Sequence, residues 1–132
     1  MSWRTFAVVA SLTIVIARSV LLQESRRVTG FFTDMRYHKE SGDVLGTEIF
    51  LTYSSSGTQA QHYAYVQFAE GSPEPPQLVP AEVNGNRIAF SLPEPNARLG
   101  KFVGVITRDS LIGKFDGTSD VLRLQRRSSY WR

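Results

Sequence analysis

From residue 28 onward the chain alternates apolar and polar side chains in short runs of period two, and no window carries a helical period. In residues 28–38, Phe31, Met35 and Tyr37 share one face, while Asp34, Arg36 and His38 share the other. Residues 45–53 set Leu45, Ile49, Leu51 and Tyr53 against Gly46, Glu48 and Thr52. The remaining strand-like runs are 62–69, 77–83, 87–92, 101–108, 111–116 and 121–126, with Pro80 marking an edge or bulge. Turn residues separate them: 39–43, the loop Ser54-Ser55-Ser56-Gly57, the proline-rich 71–76, the hairpin signal Asn84-Gly85-Asn86, and 93–96. Short connections join antiparallel neighbours, so eight strands in succession predict an all-β, up-and-down meander. Closure into a small barrel removes its two edges, and a β-sandwich is the alternative.

Glycine placement supports the barrel. Gly100-Lys101-Phe102-Val103-Gly104 and Gly113-Lys114-Phe115-Asp116-Gly117 repeat one pattern, G-K-F-x-G, and Thr29-Gly30-Phe31-Phe32 is a weaker third copy. Glycine recurs inside strands where they bend or where an aromatic ring lies flat on the backbone. With this first-strand glycine and the meander, residues 28–126 resemble the small calycin-type barrels, the class of avidin and the lipocalins. The resemblance implies architecture only. No Trp follows Gly30 as the lipocalin signature requires, and the tryptophans are Trp3 and Trp131, so no binding residue carries over. The ending, Ser128-Ser129-Tyr130-Trp131, is similar to that of uncharacterised exported bacterial proteins finishing in Ser-Tyr-Trp, which implies no activity.

The first residues read as an address. Arg4 precedes an apolar run over 6–17, too short to span a bilayer and of the length of a signal-peptide core. Val15 and Ala17 place a cut after Ala17, making 1–17 a signal peptide and 28–132 a single barrel domain, periplasmic or secreted. The alternatives are an uncleaved anchor over 6–22, with Arg18 snorkelling, or a buried element of the domain. The 132 residues are 42% hydrophobic and 20% charged, enough for one core. The absence of cysteine excludes disulfides, thiolate nucleophiles, cysteine-held metals and lipidation after cleavage. A net charge of +3 makes no case for nucleic acid.

Candidate chemistry is sparse. His38 and His62 lack metal-ligand spacing, although Asp34, Asp43, Glu48 or Glu70 would be the third ligand of such a site. Asp34 and Glu48 fall on the polar faces of neighbouring strands, where two carboxylates act as an acid/base pair or pair with a base such as Arg36. Ser54, Ser55 and Ser56 lack a nucleophile-elbow context. More prominent are the rings of Phe31, Tyr37, Tyr53, Tyr65, Phe68, Phe90, Phe102 and Phe115, with Phe50 and Tyr63 beside them. Eight-strand barrels either fill their interior with such rings or keep a pocket for one ligand. The expectation is therefore a non-enzymatic, cofactor-free binding module for a small apolar ligand or a protein partner; a membrane is involved only if the first segment is retained. The alternatives are a structural or envelope-associated role, then an enzyme. Arg123, Arg126, Arg127 and Arg132 gather positive charge at the end of the chain. Tyr130 and Trp131 are expected to cover one mouth of the barrel, which otherwise exposes its lining.

Overall fold

The computed structural model describes residues 28–56 and 59–132. The expected signal peptide, its cleavage after Ala17 and the anchor over 6–22 lie outside the described residues. Among the described residues nine strands form one sheet: β1 (Gly30–Thr33), β2 (Arg36–His38), β3 (Asp43–Ser56), β4 (Gln59–Gly71), β5 (Gln77–Asn84), β6 (Arg87–Ser91), β7 (Lys101–Ile106), β8 (Ser110–Phe115) and β9 (Leu122–Arg126). Among the described residues the one helical element is a 3-10 turn, Ala97–Leu99.

Each strand from β3 to β9 pairs antiparallel with the next, and β1 pairs with both β9 and β3. The sheet thus closes as an eight-strand barrel, with β2 an extra strand on β3. This is the expected meander, and closure decides between barrel and sandwich.

The extra strand arises because residues 28–38 form two short strands rather than one. Between β1 and β2, the Asp34 carboxylate accepts the Thr47 amide at 2.7 Å, and Gly46 adopts φ +121°. A side chain at Gly46 would meet Asp34 and Met35 at 2.7–2.8 Å. The step shifts the alternation: Phe32 and Met35, three apart, are both buried, Phe31 lies half-buried and Tyr37 is exposed. The serine-rich segment expected as a loop continues β3 through Ser56. Pro80 falls in the half of β5 that pairs only with β4, so its missing N–H breaks no ladder on the β6 side.

The core fills the barrel. Phe32, Ile49, Leu51, Val66, Ile88, Phe102, Leu111 and Leu124 are fully buried, each contributing about 1.5–3 kcal/mol of apolar transfer. The G-K-F-x-G copies face one another across β7 and β8, with Phe102 opposite Phe115 and Gly104 opposite Gly113. A side-chain carbon at Gly113 would sit 2.6 Å from the Phe102 ring and 2.5 Å from the Val103 carbonyl. The paired glycines therefore give that ring its seat, as expected of glycine inside a tight wall.

Candidate functional site

Inside the barrel, four of the eight expected lining rings converge. Phe90 stacks on Phe102 with centroids 4.8 Å apart, Phe115 meets Phe102 edge-on at 5.2 Å, and Phe68 lies 6.1 Å from Phe115. At such separations rings interlock as core.

The other four lie elsewhere. Tyr37 is exposed on β2, at the sheet margin. Tyr53 projects from β3 beyond the start of β1 and packs at 4.9 Å against His62. Phe31 and Tyr65 sit on the outer wall, at positions alternating with the core residues Phe32, Ala64 and Val66.

On that wall the register builds a continuous apolar row. Phe31 pairs with Phe50, Phe50 with Tyr65, and Tyr65 with Leu78. The rings of Phe31 and Phe50 stack at 4.3 Å, whereas Tyr65 is 43% exposed and Leu78 is 62% exposed. Single exposed apolar residues are ordinary on a protein surface, but a contiguous row across four strands is a feature of binding faces.

The neighbouring row is polar and partly covered. Glu48 points outward between Thr33 and Gln67, yet it is only 6% exposed because residues 129–131 lie over it. Its Oε1 accepts the Ser129 hydroxyl at 2.6 Å, and its Oε2 accepts the Tyr130 amide at 2.7 Å. Trp131 donates its indole N–H to Gln67 Oε1 at 2.8 Å, and Gln67 donates in turn to the Glu74 carbonyl at 2.9 Å. A buried carboxylate is costly unless donors surround it, and the tail supplies two. Beside the tail remains a groove of about 390 Å³, lined by Phe31, Glu48, Tyr65, Gln67, Pro76, Ser129 and Trp131.

Contrary to expectation, the tail lies on the wall and not over a mouth. Arg126 takes the mouth instead. Its guanidinium stacks 4.5 Å from the Phe32 ring centroid and donates to the carbonyls of Thr29 at 2.7 Å and Arg108 at 2.9 Å. Burial pushes its pKa below the ordinary value, opposed by the charge of Asp109. Gly30 makes room: a side-chain carbon there would lie 2.9 Å from the guanidinium. A guanidinium satisfies several converging carbonyls, which an indole with one donor does not. Period two through Leu122 and Leu124 puts Arg126 on their inward face; what the pattern does not give is the mouth it spans, which is assembled from segments far apart in the chain.

The carboxylates considered as a catalytic pair are spent on structure. Asp34 holds Thr47, Glu48 holds the tail, and Arg36 reaches the Asp34 carbonyl at 3.5 Å. His38 bonds Ser41 through Nδ1 at 3.1 Å, while partial burial pushes the pKa of His62 below the ordinary 6.5. Among the described residues no three His, Asp or Glu side chains gather as metal ligands. Likewise, no helix among them is long and apolar enough to cross a membrane, which leaves strands out of account. Phe50, Leu78 and Trp131 complete the picture of the wall; of these, the row formed by Phe50 and Leu78 was legible only once strand register was known. Fold and site together define a closed, filled β-barrel with an aromatic outer face. Compared with protein-family models, curated proteins and solved structures, the chain has no significant match in any of the three.

Proposed function

We propose that the chain is an exported, non-enzymatic barrel that binds a protein partner through its outer wall at β1, β3, β4 and β5. One observation carries this reading: the apolar row Phe31, Phe50, Tyr65 and Leu78 lies on the surface while the interior rings are packed against each other. Aromatic side chains supply large contact area at low entropic cost, which suits an interface anchor. A small ligand in the lumen would have to displace Phe90, Phe102 and Phe115, whose packing is the core itself. The likeness to calycin-type barrels enters this proposal as architecture, with the binding function moved from lumen to wall. Export rests on the basic start and apolar run of residues 1–17.

Photo-crosslinking in cells of the source tests it. A benzophenone side chain replacing Leu78 should trap one defined protein, and the same group replacing Val103 should trap none. Val103 is exposed on β7, four strands round the barrel from β3. Equal trapping at both positions, or none at Leu78, overturns the wall reading.

A further inference from the structure

We infer that Glu48, Gln67, Phe31, Tyr65 and Pro76 form a peptide-recognition site, held shut by the chain's own C-terminal residues 129–131. Its ligand is a segment of a partner protein with the donor order of Ser-Tyr-Trp: a hydroxyl and an amide for Glu48, then an indole N–H for Gln67. The inference rests on the wall-binding reading above and names the chemistry of its partner.

The tail's own contacts define what the site recognises. Glu48 is an outward carboxylate that would stand in water if nothing covered it, and the hydroxyl of Ser129 and the amide of Tyr130 each donate to one of its two oxygens. Ser129 also orders the turn, since its Oγ accepts the Trp131 amide at 3.2 Å and its carbonyl accepts the Arg132 amide at 3.3 Å. That turn sets the indole where Gln67 can accept from it. All of these contacts are directional and the two to Glu48 are charge-assisted, the kind that distinguish one donor arrangement from another.

The tail fills only the polar half of the site. Trp131 stays 54% exposed, its ring meeting Tyr130 edge-on at 4.8 Å, and the apolar half against Phe31, Tyr65 and Pro76 remains open as the groove. A partner segment that satisfies Glu48 and also covers those rings gains burial that the tail forgoes. The tail, for its part, has the advantage of tethering: a short link gives it an effective concentration on the order of mM. The site is thus closed to weak ligands and open to segments that use both halves.

The test uses the full chain and a fluorescein-labelled peptide, Arg-Arg-Ser-Ser-Tyr-Trp-Arg, followed by anisotropy. In the variant Ser129→Asp the tail carries a second carboxylate against Glu48 and undocks, so the peptide should bind. On the unaltered chain binding should be at least ~10-fold weaker, because the tethered tail competes. Tyr130→Pro removes the amide donor and provides a second opened variant, should the first fold poorly. Adding Glu48→Ala to either variant should abolish binding. Equal binding to the opened and unaltered chains, or none to either opened variant, overturns the inference. The Leu78 crosslink reads separately: it survives if only the peptide site fails, and it is lost if the wall reading itself is wrong.

Discussion

Gly113 faces the interior at a point where one methyl group has no space. Its would-be neighbours are the Val103 carbonyl, the Gly104 backbone and the Phe102 ring, all within 2.6 Å, and two of these are backbone that cannot step aside. Gly113→Ala is therefore expected to destabilise the barrel by about 1–3 kcal/mol, the range for overpacked cores. Gly104→Ala meets mainly the edge of the Phe102 ring at 2.8 Å, with no neighbouring backbone nearer than 3.1 Å, and should cost less. Urea denaturation of both variants measures the order, and a reversal of it refutes the assignment of Gly113 to the rigid side of the pair. At this scale the sequence was informative: the doubled G-K-F-x-G pattern announced a ring on glycine before any coordinate did. It was silent about Glu48, because what buries an outward carboxylate is a tail 81 residues later in the chain.

Between β1 and β2 the decisive contact is also one side chain on one amide. Asp34→Ala leaves the Thr47 N–H without its acceptor, and an unmet donor in a partly buried place costs about 1–3 kcal/mol. The loss should fall on β2 and the start of β3, so hydrogen exchange is expected to quicken at Thr47 and across the β2 to β3 pairing, with the β6 to β8 amides unchanged. Uniform quickening through the barrel would mean that Asp34 supports the whole fold. The eight-run reading missed this break for a physical reason. Period two through Phe31, Met35 and Tyr37 fits one continuous strand, and Phe31-Phe32 offers an apolar ring to either face, so the alternation alone does not say which ring goes in. Elsewhere the turn chemistry sufficed. Gly85, at φ +62°, turns β5 into β6 at the place the Asn-Gly signal gave, and Asn84 pairs with Arg87 across it.

For the molecule as a whole, closure depends on β9 meeting β1, and Arg126 is the residue that spans the mouth beside that seam. Arg126→Lys keeps the charge but loses the planar fork that reaches Thr29 and Arg108 together, so it should lower stability by about 1–3 kcal/mol. Arg123→Lys, exposed on the same strand, should leave the urea midpoint where it is. Equal midpoints for the two variants would show that the mouth needs only a cation. The seam has a further consequence, in time rather than in space. Arg126 bonds a carbonyl 97 residues earlier, so the ring shuts only after the residues of β9 have been synthesised. Until β9 has joined β1, a copy that has begun to fold carries bare margins at β1 and β8, which match those of another copy. Such a chain gains from slow or spaced production, and crowding its synthesis is expected to link copies margin to margin before any of them can close.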